Sequence, residues 1–365
     1  MNIKFMKLLK LLDAMAGILV TFMPRPVQQD LGKMSPDRLR LLIIRPGGIG
    51  DAVLLIPVLL SVKKIIPEST IDILAEKRNS AVYSLCPDIN RVYHYDKPKE
   101  LLDAIRGSYD IVIDTEQWHR LSAVVTKLAN APRSIGYATN KRKKMFTDPI
   151  QYSQDDHEVL SFFNLIVPIT GEETSDEKMP FLTIPESCAG AIKHLLRGYG
   201  TRNIIAIFPG GSIVERKWGG GRFHLTAKLL FEKGYAIVVV GGKDDFRAGE
   251  QIVSGLTGAL NLCGKLSLPE TAAVLKESSL LITGDSGIMH IGYGLGTKVL
   301  ALFGPGREKK WAPRGRNSRV INKHLPCSPC TTFGYTAKCK KSAMCMSAIS
   351  VEEVFTEAMT LLGKE

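Results

Sequence analysis

Two short tracts place polar groups where an α/β sheet presents them to a ligand. Asp285-Ser286-Gly287-Ile288-Met289-His290 follows an apolar strand, Leu280 to Thr283, and leads into a helix-like stretch. A helix beginning near Ser286 would direct unpaired backbone N–H groups, and the positive end of its dipole, into the crevice beyond the strand, which suits a diphosphate. Ser286 and Gly287 are the candidates for those amides. His290 falls inside the helix, where core packing explains it as well as ligand contact does. The second tract, Arg45-Pro46-Gly47-Gly48-Ile49-Gly50-Asp51-Ala52, ends the first strand. Gly48 and Gly50 let backbone approach a sugar or phosphate closely, and Asp51 can accept a proton from an attacking hydroxyl. Asp is also a leading helix cap, so spacing alone leaves both roles open. As a dinucleotide fingerprint the tract is defective. Its third glycine is missing, and the acidic residue comes at once instead of about 20 residues later.

The elements that must carry these tracts follow a regular order. Leu41 to Ile44, Ile71 to Ala75 and Ile111 to Asp114 are apolar strands, with a helix over 51 to 66. After a break the pattern restarts with strands at Ile204 to Phe208, Ala236 to Val240, Leu280 to Thr283 and Val299 to Phe303. Alternation of this kind implies βαβ units and parallel sheets covered on both faces. A chain of 365 residues also exceeds the size at which one core keeps growing. We therefore expect two doubly wound, Rossmann-like domains facing across a cleft, over 39–175 and 187–365, with the Glu-, Thr-, Ser- and Pro-rich stretch from Thr170 to Glu186 between them.

The second half adds further candidates. Phe208-Pro209-Gly210-Gly211-Ser212 is followed by Glu215-Arg216-Lys217-Trp218. Ser212 can donate to an anionic oxygen, and Lys217 is a compact cation suited to a phosphate leaving group, although most lysines are simply solvated. Asp244, after Gly241-Gly242, suits two ribose hydroxyls or a helix cap. The balance of 48 Lys+Arg against 36 Asp+Glu, a net +12, favours anionic partners. Nucleic acid is the weakest of these, because no recognition-helix, zinc-finger or RNA-binding aromatic motif accompanies the charge.

Gly50-Asp51 with Pro57, Pro209-Gly210 with Lys217-Trp218, Gly241-Gly242, Asp285-Ser286-Gly287 with His290, and Phe303-Gly304-Pro305 occur in an order that resembles the family nine glycosyltransferases, typified by the ADP-heptose:lipopolysaccharide heptosyltransferases. The resemblance runs from about Leu41 to the C-terminus. It implies a GT-B fold with an N-terminal acceptor domain and a C-terminal nucleotide-sugar domain. It also implies inverting transfer to a lipopolysaccharide core or related glycolipid, without a catalytic cofactor. By position, Asp51 matches the proposed general base, Lys217 the lysine beside the diphosphate, and Asp285 the acidic residue at the sugar and phosphate end. Asp285 cannot itself attract phosphate, so it is expected to bond sugar hydroxyls or orient Lys217. Pro46-Gly47-Gly48 stands where the family commonly has Ser or Thr, so acceptor contacts should differ. Gly48, Gly50, Arg133 and Lys141 are the acceptor-side candidates. The run Lys141-Arg142-Lys143-Lys144 suits acceptor phosphates, or is an ordinary solvated surface. The alternatives are an NAD-dependent oxidoreductase and a catalytically silent, membrane-bound scaffold.

Both ends of the chain carry separate signals. In residues 1–26, Lys4, Lys7 and Lys10 lie among Phe5, Leu8, Leu9, Leu11 and Leu12, and an apolar run from Ala14 to Met23 follows. The run is shorter than the ~20 residues a span needs, and Asp13 interrupts a secretory-signal pattern. An interfacial helix on the cytoplasmic face of the inner membrane is expected, and packing on the protein's own surface would give the same pattern. Near the other end, Cys327, Cys330, Cys339 and Cys345 form a tail over 327–345. Four thiols at this spacing suit a structural zinc site or an iron–sulfur cluster in a reducing compartment. Cys86, Cys188 and Cys263 read as isolated core residues.

Overall fold

The computed structural model describes residues 38–171, 177–200, 203–333 and 335–363. The expected helix over residues 1–26 lies outside the described residues. The chain divides into two compact units between Glu177 and Lys178.

The first unit is built on six parallel strands: β1 (Arg40–Arg45), β2 (Thr70–Ala75), β3 (Arg91–His94), β4 (Ile111–Asp114), β5 (Arg133–Tyr137) and β6 (Asp148–Ile150), in the spatial order β3-β2-β1-β4-β5-β6. β1, with the sequence RLLIIR, is buried from Leu41 to Arg45. Its apolar residues do not alternate with polar ones because helices cover both faces of the sheet. The helix Ile49–Ile65 after β1 is apolar around most of its circumference and buries nine residues from Ala52 to Val62, Pro57 among them.

The second unit repeats the arrangement with β7 (Ile204–Phe208), β8 (Ala236–Val239), β9 (Leu260–Asn261), β10 (Leu280–Gly284), β11 (Val299–Phe303) and β12 (Ser318–Asn322). Their order, β12-β11-β10-β7-β8-β9, is the same winding. Its core joins Trp218 and Phe223 to the C-terminal helix Val351–Leu362 through Val354, Ala358 and Leu361. Trp218 Nε1 donates to the Ile349 carbonyl at 3.0 Å, so the indole is buried with its polar atom satisfied.

This strand order fixes where chemistry can occur. In each sheet the connections run in opposite directions from one pair of central strands, β1 and β4 in the first and β7 and β10 in the second. The loops beyond the carboxyl ends of such a pair diverge and leave a crevice, the usual ligand position in open α/β sheets.

Candidate active site

At the switch point of the first unit, the helix Ile49–Ile65 has Gly48 as its N-cap, and Asp51 stands inside the first turn. Capping therefore does not explain Asp51, while the helix dipole favours a carboxylate there. Its side chain is 22% exposed and faces Arg45 Nη1 at 3.8 Å. Arg45 ends β1 and is buried. Its Nε donates to the Pro46 carbonyl at 2.7 Å, Nη1 to the Thr115 carbonyl at 2.8 Å, and Nη2 meets Glu116 Oε2 at 3.2 Å.

The loop after β4 supplies the other half of this site. Burial works to raise the Glu116 carboxyl, but Arg45, His119 and Arg142 outweigh it and hold the group below its ordinary value. Glu116 Oε1 accepts from the Trp118 N–H at 3.1 Å, which shapes the turn. Gln117 Nε2 donates to both Asp51 Oδ1, at 3.1 Å, and Glu158 Oε1, at 2.6 Å. Beneath them Arg142 pairs with Asp114 and donates to the Glu116 carbonyl, all within the interior.

The expected acceptor residues are distributed around this site. Gly48 stands against Asp51, so that a Cβ there would lie 2.9 Å from Oδ2. Gly50 is in the first turn of the same helix. Arg133 is committed to Asp148 at 2.8 Å and to the Pro168 carbonyl at 2.9 Å, which ties β5 to β6. Lys141 is exposed in a left-handed turn, with φ 64°. Lys141, Lys143 and Lys144 of the basic run are exposed, but Arg142 is fully buried.

At the switch point of the second unit, Asp285 leaves β10 buried and pairs with Arg216 rather than Lys217, Oδ2 lying 2.9 Å from Arg216 Nη1. Lys217 and Ser212 are exposed on the loop after β7. The Arg216 Nε is buried with no hydrogen-bond partner in the protein. Two glycines keep the pair in place: a Cβ on Gly306 would stand 2.0 Å from Asp285 Oδ2, and one on Gly284 would stand 2.9 Å from the Arg216 carbonyl. Ser286 is the N-cap of the helix Gly287–Gly294, its Oγ accepting from the Met289 N–H at 3.2 Å. His290 is buried edge-on to Trp311. Asp244 is exposed, whereas its neighbour Asp245 accepts from the Gly242 N–H at 3.0 Å and fills the space that side chains on Gly210 and Gly241 would need.

Sequence reasoning did not assign Arg45, Glu116, Gln117, Glu158, Arg216 or Asp245. Glu116 and Gln117 had a usable signal, because they follow an apolar strand as Asp285 does. Glu158 had none, since only the tertiary fold brings its helix to the loop.

The cysteine tail abuts the loop after β11. Cys345 and Met346 pack against Gly304, and the Cys330 and Thr331 N–H groups donate to the Pro305 carbonyl at 3.1 and 3.0 Å. Cys339 Sγ accepts from the Lys341 and Ala343 N–H groups at 3.4 and 3.3 Å. Among the described residues no three His, Cys, Asp or Glu side chains are gathered closely enough to hold a metal ion. Nonetheless burial, followed by the charges of Cys339 and Cys327, pushes the Cys330 thiol up. Burial pushes the Cys345 thiol up, the Met346 N–H opposes it, and Cys330, Cys327 and Cys339 add smaller raising contributions.

Two Rossmann-like units of matching topology, each with charged groups at its switch point, have the fold of the GT-B glycosyltransferases. Glycosyltransferase family 9 (heptosyltransferase) matches residues 99–341, more than half the chain, and the protein belongs to that family. Lipopolysaccharide heptosyltransferase 3 of Escherichia coli is 26% identical over 291 residues, 73% of this chain and 84% of that protein. The structure of E. coli ADP-heptose lps heptosyltransferase II superposes with a TM-score of 0.72 at 21% identity, covering 89% of this chain and 98% of that one. A more distant solved structure, an iron-containing dodecameric glycosyltransferase of enterotoxigenic E. coli, gives 0.56 at 14% identity over 89% of this chain and 76% of that one. The oxidoreductase and silent-scaffold alternatives find no support in these likenesses.

Proposed function

We propose that this protein is an inverting heptosyltransferase that moves a heptose from ADP-heptose onto a lipopolysaccharide core or related glycolipid. The observation that carries the reading is one set of reactive groups at each switch point: Asp51 in the first unit and the Arg216–Asp285 pair in the second. In the proposed step Asp51 takes the proton of an acceptor hydroxyl as that oxygen bonds to the anomeric carbon. The bond from that carbon to the diphosphate breaks on the opposite face, and its electron pair leaves with ADP. Positive charge builds on the sugar as in glycoside hydrolysis, and negative charge builds on the diphosphate. Arg216 Nε, Lys217, Ser212 and the amides of Ser286 and Gly287 are the groups proposed to meet that charge. Asp285 orients Arg216, and Asp244 with its neighbour Asp245 is assigned to the nucleoside. Gly48, Gly50 and Lys141 are assigned to the acceptor, and Arg133 serves it indirectly by holding the β5–β6 edge. The chemistry assigns no step to a cofactor. Incubating the purified protein with ADP-, UDP- and GDP-sugars and a heptose-deficient core oligosaccharide tests the reading. Transfer from ADP-heptose alone, with inversion by NMR, supports it, and transfer only from another donor overturns it.

The proposed site of action is the cytoplasmic face of the inner membrane, with residues 1–26 as a peripheral anchor. No helix among the described residues is long and apolar enough to cross a membrane. Three lysines among apolar residues suit an anionic surface. Deleting residues 1–26 is expected to release the protein from anionic vesicles while leaving activity on a soluble acceptor. Equal partitioning of the two forms would refute the anchor.

Cys327, Cys330, Cys339 and Cys345 are proposed to hold a structural zinc ion or an iron–sulfur cluster. The spacing of the four cysteines suits a closed tetrahedral site, and the Lys341 and Ala343 N–H groups donate to Cys339 Sγ as they would to a metal-bound sulfur. The iron of the more distant glycosyltransferase makes iron the first metal to assay. Cys345→Ser is expected to release the metal and lower the melting temperature, with activity falling only as folded protein is lost. Elemental analysis and thermal melts check this. Metal-free protein with four titratable thiols and unchanged melting in the variant would defeat it.

A further inference from the structure

We infer that Gln117 is a positioning residue: it holds Asp51 by Oδ1 and leaves Oδ2 as the oxygen that receives the acceptor's proton. The inference rests on the reading of Asp51 as general base. Gln117 Nε2 sits between two carboxylates, Asp51 Oδ1 at 3.1 Å and Glu158 Oε1 at 2.6 Å, while its Oε1 faces Arg45 Nη2 at 3.5 Å. Only one orientation of the amide satisfies these neighbours. Flipped, it would set a carbonyl oxygen between two carboxylates and an NH2 group against a guanidinium.

The amide is in turn anchored. Glu158 is fully buried at the start of the helix Glu158–Asn164, and its Oε2 accepts from the Tyr152 O–H at 2.9 Å. That helix packs on Ile49–Ile65, which carries Asp51, so the anchor and the base are set in adjoining helices. Arg45 Nη1 faces the same Oδ1 at 3.8 Å. Oδ2 lies beside Gly48, where a Cβ would stand only 2.9 Å away, and the Asp51 side chain is 22% exposed. One carboxylate oxygen is thus spent on orientation, and the other is left for the acceptor hydroxyl. The charged and titratable groups around Asp51 are Arg45, Glu116 and Glu158, with the Tyr83 and Tyr152 hydroxyls. The proton passes from the acceptor hydroxyl to Oδ2, the hydroxyl oxygen bonds to the anomeric carbon, and ADP departs with the electron pair.

The test compares Gln117→Leu, Gln117→Glu and Asp51→Asn in the full-length protein, with ADP-heptose and a heptose-deficient core oligosaccharide. Gln117→Leu should lower kcat on the order of 10-fold to 100-fold through misplacement of the base, with the donor KM little changed. Loss of a donor to the carboxylate should move the acid limb of the kcat/KM profile to higher pH, because the base must be ionised to act. Gln117→Glu keeps the volume and places a further negative charge beside Oδ1, so it should move the limb further, and Gln117→Met, which keeps the length without a donor, is the second neutral variant if leucine is not tolerated. A merely structural role would lower activity without moving the limb. Normal kcat in a folded Gln117 variant, or a fall with the limb unmoved in both, overturns the inference. Turnover by Asp51→Asn would instead remove the general base. An inactive Asp51→Asn beside normal Gln117 variants would leave the base in place and reject only the positioning role.

Discussion

Replacing Asp51 with Asn is expected to lower transfer by ~10²–10⁴-fold while leaving donor affinity nearly unchanged. The substitution preserves volume and retains an Oδ1 to accept from Gln117, which donates to it at 3.1 Å. What it removes is the second carboxylate oxygen, replaced by an amide nitrogen that cannot take a proton at neutral pH. The groups assigned to the diphosphate lie on the other unit, around Arg216 and Asp285, and the substitution does not touch them. Initial rates with ADP-heptose, together with calorimetric titration of the donor, separate the two effects. Near-normal turnover would take Asp51 out of the mechanism, and loss of donor affinity would make its role one of binding.

The repeated winding was legible because its central strands are continuous apolar runs. Leu41 to Ile44, Ile111 to Asp114, Ile204 to Phe208 and Leu280 to Thr283 are each buried on both faces, so their composition alone marks them. The strands that escaped notice lie toward the edges, where short length and charged ends mask the pattern. β3 begins with Arg91, β5 with Arg133, and β6 is only Asp148-Pro149-Ile150. The site divided along similar lines. Asp51 and Asp285 follow long apolar strands and glycines, so local sequence exposes them. Gln117 and Glu158 meet across 41 positions of chain, a contact that no local spacing encodes. Arg216 lost attention to Lys217 because lysine is the residue the family resemblance marks, whereas burial and the ion pair with Asp285 single out the arginine.

Arg142→Met is expected to destabilise the protein by about 3–5 kcal/mol, the cost of leaving a buried carboxylate without its partner. Both side chains of the Arg142–Asp114 pair are fully buried, and the guanidinium also lies over the Phe146 ring, 5.4 Å from its centroid. For a unit of this size the loss corresponds to a fall in melting temperature on the order of 10 °C. The deficit should depend on pH in a defined direction. Burial already raises the Asp114 carboxyl above its ordinary value of 3.8, and Arg142 opposes that rise, so removing Arg142 raises it further. A carboxyl raised in the folded state binds its proton more tightly there than in the unfolded chain. The penalty is therefore absent below the ordinary value and grows as pH climbs through the raised one. Melts of the variant at pH 5 and pH 8 should show the larger loss at pH 8. Adding Asp114→Asn removes the stranded charge and keeps an acceptor for the Glu116 N–H, which Asp114 Oδ1 now binds at 3.0 Å, so the double variant should regain much of the stability. Because Arg142 also fixes the Glu116 carbonyl, the single variant should lose activity along with stability. Melting of Arg142→Met like the unaltered protein at both pH values would show that this buried pair does not hold the loop bearing Glu116 and Gln117.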